Sequence, residues 1–331
     1  MNCGIIGLPN AGKSALFNLL TGGGAESSCY PFCTIEPNTG VAKLDDPRLN
    51  DLKRLYPSAR VTPPAVTFLD VAGLAPGASS GEGLGNQFLS HIRTAEAVIH
   101  TVRAFESGRV PECEGSTGDI RGDIELLETE LFLADLEIAR RRVESGSGNR
   151  YWEDARDMLQ RRQVPPPDEE GVLITPKPCI RVFNVNSGSA PPVCYTGKEV
   201  CIDVLYQLEL LGLPETEREV FLNELPGHES GADTLLEKVL GILNRILFFT
   251  AAGGKEIRGH IIRDGATVYE AAGKVHTDMQ KGFIRALVYN YADLANTGFD
   301  MSLLKKQGKI RTEGRDSPVR DGDIVEILFS R

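Results

Sequence analysis

A chain of 331 residues, 41% hydrophobic and 25% charged, has the make-up of a soluble globular protein with room for two or three compact units. Its formal charge of −10 excludes a protein that coats nucleic acid through its overall field. No apolar run has membrane-spanning length and no export signal is visible, and the seven cysteines are scattered, so a cytoplasmic protein with reduced thiols and no membrane contact is expected.

Residues 2–7 (NCGIIG) read as a short buried strand ending in glycine, and 13–20 (KSALFNLL) carry helical spacing. Residues 65–71 (AVTFLDV) and 97–103 (AVIHTVR) are further strand-like runs with helical patterns between them. Strands alternating with helices predict a parallel sheet covered on both faces. The pattern changes near residue 121, where Ile124, Leu127, Leu131, Ala134 and Ile138 recur at heptad spacing. Trp152, Ala155 and Leu159 repeat that spacing after the SGSGN turn at 145–149. The pattern fits two helices folded back as an antiparallel hairpin, or two ordinary surface helices. VPPPDEEG (164–171) breaks the helix and KPCIRVFN (177–184) returns to the sheet. A helical stretch over 232–247 leads into a small mixed α+β domain of about 80 residues, in which Asp321-Gly322-Asp323 turns the chain into its last apolar strand.

GLPNAGKS, Gly7 to Ser14, matches G-x-x-x-x-G-K-[ST] between a predicted strand and a predicted helix. Backbone N–H groups of such a loop curl around a β-phosphate at the positive end of the helix. Lys13 then reaches the β- and γ-phosphates, and the Ser14 hydroxyl is a Mg²⁺ ligand. Asp70, ending the strand VTFLDV, has the position of an acid that holds Mg²⁺ through water. With Gly73 it forms an Asp-x-x-Gly switch, in which Gly73 turns an N–H toward the γ-phosphate. Thr34 lies where a first switch loop completes the Mg²⁺ shell. Leu74 follows Asp-x-x-Gly, where a glutamine would orient the attacking water, so intrinsic hydrolysis is expected to be slow. Asn10 either helps hold K⁺ beside the phosphates or stabilises the turn. Cys29 and Cys33 lack a second Cys/His pair for a metal, and the five histidines show no metal or triad spacing.

These motifs, with YPFCTIEPNTGV (30–41), DVAGLAPGASSGEGLGNQFL (70–89), NVNS (184–187) and AAGKVHTDMQKGFIRA (271–286), resemble the Obg-related GTPases and, more closely, the Obg-like ATPase (YchF) family. The resemblance runs along the whole chain and is weakest over about 106–180 and 187–230. It implies an α/β fold: a Ras-like P-loop G domain of Obg type at 1–120 and 172–230, an inserted helical (coiled-coil) arm at 121–171, a linking helix at 231–247, and a ubiquitin-like β-grasp TGS domain at 248–331. It further implies a monomeric ATPase that prefers ATP to GTP, hydrolyses it slowly with Mg²⁺, and associates with the ribosome through its large subunit, the arm and TGS domain contacting RNA. Carried over by position, Asn10, Ala11, Gly12, Lys13, Ser14 and Ala15 hold the phosphates, with Lys13, Asp70 and Gly73 serving the chemistry. Ser14 and Thr34 ligate Mg²⁺, and the backbone at Val185 with the Asn184 side chain reads adenine. The chain departs from the family at Ser187 (usually Glu), Ala15 (usually Thr) and Glu112 (a histidine proposed to assist hydrolysis), and its arm is shorter.

NVNS stands where a guanine-specific protein carries Asn-Lys-x-Asp. The Asp of that motif accepts both N–H donors of the guanine edge; Ser187 has one hydroxyl and no charge. An unsatisfied donor costs about 1–3 kcal/mol, which predicts roughly ten- to hundredfold weaker GTP binding. Adenine instead offers N6–H₂ and N7, which an Asn amide or a backbone carbonyl can pair. A GTPase of conventional specificity stays open as an alternative. So does a docking module whose basic runs, at Arg140–Arg142, Arg161–Arg162 and Lys305–Lys306 with Lys309 and Arg311, meet ribosomal RNA while nucleotide is secondary.

Overall fold

The computed structural model describes residues 1–22, 38–71, 84–113, 115–146, 149–227, 229–252 and 254–330, without the side chains of 84–88, 215 and 252. The chain divides into two compact units, Met1–Ala42 with Val66–Val239, and Lys43–Ala65 with Leu240–Arg331. The elements begin with β1 (Asn2–Ile6), α1 (Lys13–Leu20), β2 (Asn38–Lys43), α2 (Pro47–Leu55), β3 (Arg60–Thr62) and β4 (Ala65–Asp70). They continue through α3 (Leu84–Arg93), β5 (Ala97–Ala104), α4 (Ile120–Glu144), α5 (Arg150–Gln160), β6 (Cys179–Val185) and β7 (Val200–Ile202). Next come α6 (Val204–Leu210), α7 (Glu215–Asn223), α8 (Ala232–Ile242), β8 (Arg245–Ala252), β9 (Glu256–Arg263) and α9 (Val268–Val275). The last are α10 (Thr277–Lys281), β10 (Phe283–Asn290), α11 (Tyr291–Asn296), α12 (Met301–Lys306), β11 (Arg311–Glu313) and β12 (Asp323–Phe329).

The first unit is built on a six-stranded sheet of order β2-β4-β1-β5-β6-β7, in which β4, β1, β5, β6 and β7 run parallel. Parallel neighbours need long crossovers, and helices provide them. Cys3, Ile5, Val66, Phe68, Ile99, Val182 and Phe183 are at most 4% exposed, the continuous burial expected of strands covered on both faces.

The heptad stripe on α4 serves two surfaces in turn. Ile124 packs with Val102, Phe183 and Val185 of the sheet. Leu127 and Ala134 pack with Leu8, Val71, Leu89 and Ile92. Only farther along do Leu136 and Ala139 meet Trp152, Ala155 and Leu159 of α5. The two helices form the hairpin, but the first half of α4 belongs to the core of the sheet. A repeat of apolar residues specifies a buried stripe and leaves open what covers it.

In the second unit a six-stranded mixed sheet has the order β11-β10-β12-β8-β9-β3. The hairpin β8–β9 is antiparallel, β12 lies parallel to β8, and β10 is antiparallel to β12. Helix α9 packs on this sheet through Val268, Ala271 and Ala272 against Phe248, Phe283, Val288 and Val325. Two hairpin strands, a helix, and a last strand beside the first form a β-grasp. The segment Lys43–Ala65, which the resemblance assigns to the G domain at 1–120, groups with this second unit. The reason is main-chain pairing: β3 adds to β9 in parallel, with Arg60 opposite Glu256 and Thr62 opposite Arg258.

Candidate functional site

Strand β1 runs out at Ile6 and the chain makes a tight loop before α1. Gly7 has φ 156°, and a Cβ there would meet the Thr101 carbonyl oxygen at 2.3 Å. Gly12 has φ 95°, and a Cβ there would meet Asn184 Nδ2 at 2.3 Å. Both motif glycines are therefore required by close approach as well as by backbone angle. Helix α1 has no side-chain cap and no acidic residue in its first turn, so its first N–H groups are left for an anion.

Asn10 sits in the left-handed region at φ 63° and donates its Nδ2 to the Pro111 carbonyl at 3.2 Å. That bond ties the phosphate loop to the loop after β5, and left-handed backbone suits an asparagine. Arg103 donates to the same Pro111 oxygen and to that of Val110, at 2.8 and 2.9 Å. The loop after β5 is thereby held against the phosphate loop, and it carries the exposed Glu112 at that edge.

Lys13 is 7% exposed and donates its Nζ to the Leu8 carbonyl at 2.9 Å. Burial pulls its pKa down to about 8, against the opposing pull of Asp70 and Cys113. Asp70 lies opposite Ile5 on the neighbouring strand and is 8% exposed. Burial raises its carboxyl pKa, while the Ser14 hydroxyl and the Asn38 amide donate to it and oppose that rise. Its Oδ1 is buried with no hydrogen-bond partner among the described residues. A hydroxyl (Ser14) and a carboxylate with one orphaned oxygen (Asp70) at the mouth of a phosphate loop are hard oxygen donors, the kind that Mg²⁺ takes. The residues fit that ion. Ala15 follows in the first turn of α1, half-buried. Thr34, Gly73, Leu74, Cys29 and Cys33 lie outside the described residues.

Strand β6 brings the other end of the site to the same sheet edge. Asn184 is 4% exposed; its Nδ2 donates to the Ala11 carbonyl at 3.1 Å and its Oδ1 accepts the Val204 N–H at 3.3 Å. This contact joins NVNS to the phosphate loop. It uses one donor and one acceptor position of the Asn184 amide and leaves one of each. Val185 is buried at 2%, and Asn186 Oδ1 accepts the Glu106 N–H at 2.8 Å. Ser187 donates its N–H to Asp203 Oδ2 at 2.7 Å and its hydroxyl to Glu229 Oε2 at 3.0 Å. Gly188 donates its N–H to Glu229 Oε1 at 2.9 Å. Asp203 also caps α6 by accepting the Tyr206 N–H at 2.9 Å. Asp203 and Glu229 are the residues that sequence reasoning missed. An Asp before a helix is a readable cap, but nothing in the sequence ties Glu229 to Ser187.

Phosphate loop, Asp70 and NVNS thus meet at the carboxyl ends of β1, β4 and β6, the edge where open α/β sheets take ligands. His100 and His260 are at most 6% exposed, and burial lowers their pKa values to about 3 and about 4. Both are neutral structural residues, His260 stacked on Phe248 with centroids 4.7 Å apart.

Comparison with known proteins agrees with this geometry. A family model described as a 50S ribosome-binding GTPase matches residues 2–130. The model of the YchF-GTPase C-terminal region, described as a protein of unknown function, matches residues 246–330. The chain is 38% identical to the ribosome-binding ATPase YchF of Escherichia coli O157:H7 over 363 residues, covering 99% of each. It is 36% identical to the ribosome-binding ATPase YchF of Bacillus subtilis, covering 100% of this chain and 99% of that one. The solved structure of the Schizosaccharomyces pombe YchF GTPase superposes with a TM-score of 0.78 at 26% identity, covering 99% of this chain and 97% of that chain.

Proposed function

The chain belongs to the YchF family, and on that premise we propose that it is a Mg²⁺-dependent P-loop nucleoside triphosphatase of the cytoplasm that associates with the ribosome and prefers ATP to GTP. The observation that carries the reading is the convergence of Ser14, buried Lys13 and Asp70, whose Oδ1 has no partner among the described residues, under the uncapped start of α1. Relatives that match over nearly their whole length are named ribosome-binding ATPases, which supports both the nucleotide and the ribosome.

Backbone N–H groups of residues 10–15 would line the phosphates, and Lys13 would turn its ammonium from the Leu8 carbonyl to the β- and γ-phosphate oxygens. Mg²⁺, when bound, supplies positive charge to those oxygens; Ser14 would hold it directly, Asp70 through water, and Thr34 would complete the shell. Gly73 would turn its N–H to the γ-phosphate. Leu74 offers no polar group to orient water, which fits slow turnover. Asn10 is the residue through which K⁺ would act, and dependence of turnover on K⁺ checks that part. The adenine-facing groups would be the backbone around Val185 together with Asn184, whose side chain secures the loop.

Calorimetric titration of the protein with ATP and GTP in Mg²⁺ tests the reading. ATP bound more tightly than GTP is expected. Equal or tighter GTP would overturn the preference, and absence of binding by either would overturn the assignment.

A further inference from the structure

Position 187 lacks the acid that would accept the N1–H and N2–H₂ donors of guanine, yet it does not lack a carboxylate nearby. Glu229 reaches Ser187 from 42 residues along the chain, accepting its hydroxyl on Oε2 at 3.0 Å and the Gly188 N–H on Oε1 at 2.9 Å. The backbone beneath it is fixed. Residue 229 forms a parallel bridge with Cys201 at the edge of β7, and the Ser230 N–H donates to the Cys201 carbonyl at 2.8 Å. Gln207 Nε2 holds the Ser230 carbonyl at 2.9 Å. An ionised carboxylate has about four acceptor positions on its two oxygens, and these two bonds use one on each. The remaining lone pairs are acceptors at the segment that follows Asn184 and Val185. Asn184 brings a neutral amide, with one donor and one acceptor position already used, and not the charged double acceptor that the guanine edge requires. Asp203 is turned to two backbone N–H groups, those of Ser187 and Tyr206, as cap and loop anchor, whereas Glu229 takes the Ser187 side chain itself.

We infer that Glu229 supplies through space the carboxylate missing at position 187, and is the residue that lets this site accept guanine beside adenine. The inference rests on the nucleotide-binding reading above and sharpens it: GTP is a real second ligand, weaker than ATP and read by Glu229. Chemistry that merely tightened the loop would not discriminate between bases; an acceptor at the guanine edge does.

The test is titration of the full chain and of Glu229→Gln with ATP, GTP and xanthosine triphosphate in Mg²⁺. Xanthine carries a carbonyl where guanine carries its N2 amine, so a glutamine amide can donate where the carboxylate accepted. The expected result is a GTP-to-ATP affinity ratio that falls about ten- to hundredfold, with binding of xanthosine triphosphate gained. Ser187→Ala, which keeps the carboxylate but removes its hydroxyl anchor, is expected to lower the ratio by about threefold. An unchanged ratio, or equal weakening of ATP and GTP with no gain for xanthine, overturns the inference and leaves Glu229 a loop anchor. A protein that binds ATP but rejects GTP outright overturns it too, while the ATPase reading stands. Failure to bind either nucleotide would remove the reading beneath it as well.

Discussion

Lys13 carries a positive charge into a buried position, where it donates to the neutral carbonyl of Leu8. Burial lowers its pKa to about 8, and phosphate oxygens would raise it again. Below about pH 8 the ammonium is already charged and nucleotide binding takes up no proton there. Above it the free protein is largely neutral at Lys13, so binding requires protonation. ATP affinity is therefore expected to be flat from pH 6 to 8 and to fall by up to about tenfold per pH unit beyond. Calorimetry in buffers of different ionisation heat would register the proton uptake; affinity constant to pH 9.5 would refute it. Asp70 invites a second check, because its Oδ1 has no partner among the described residues. Asp70→Asn keeps the shape and removes the charge, and should raise the Mg²⁺ concentration for half-maximal hydrolysis by about tenfold or more. Both residues were legible in the motif. The state of each, one depressed in pKa and one orphaned, comes from strands β1 and β4 being neighbours.

Helix α4 is the element in which pattern and packing part company. Its apolar repeat was readable; its N-cap, Asp119, which accepts the Gly122 N–H at 3.2 Å, is supplied by the structure. A charged residue on the same helix was not readable as core. Asp135 is 0% exposed; one oxygen takes Arg93 at 2.9 Å, and the other takes the Ile174 and Thr175 N–H groups at 2.8 Å each. Arg93 ends α3 and also donates to the Val172 carbonyl at 2.6 Å, so one buried carboxylate ties α3, α4 and the return to β6 together. Asp135→Ala would strand the Arg93 charge and two backbone donors, at a cost of about 3–5 kcal/mol in chemical unfolding. Asp135→Asn, still able to accept, should lose less. A change below about 1 kcal/mol in both would contradict this account. The basic triple at the end of α4 is less free than its sequence suggests. Arg141 pairs with Glu137, and Arg142 pairs with Glu170 while stacking on Trp152.

At the scale of the whole chain, the segment between β2 and β4 decides the composition of the second unit. Arg48 in α2 donates to Asp46 and, at 2.6 Å, to Asp321, and its guanidinium lies over the Phe249 ring at 5.1 Å. Tyr291 donates its hydroxyl to Asp51 at 2.5 Å. Arg48→Ala should destabilise this unit by about 2 kcal/mol through the loss of a charge-assisted pair and its stacking, seen as a lower thermal midpoint. An unchanged midpoint would show the segment to be an accessory to the β-grasp.

What the amino-acid sequence determined by itself is everything written in contiguous residues. The phosphate loop, the strand-end Asp70, the apolar repeats of the two arm helices and the last apolar strand each follow from spacing, glycine placement and apolar period, whereas β8 begins at Arg245 inside the stretch expected to be helical. Those interactions close over a few residues, so local chemistry suffices to specify them. The tertiary structure alone decided which partners meet across the chain. Asn184 bonds Ala11 over a separation of 173 residues, and Arg48 reaches Asp321 over 273. Ser187 finds a carboxylate in Glu229 that its own motif does not contain. A side chain carries no mark of a distant partner, because hydrogen bonds and ion pairs depend on where folding brings two groups and not on their order along the chain.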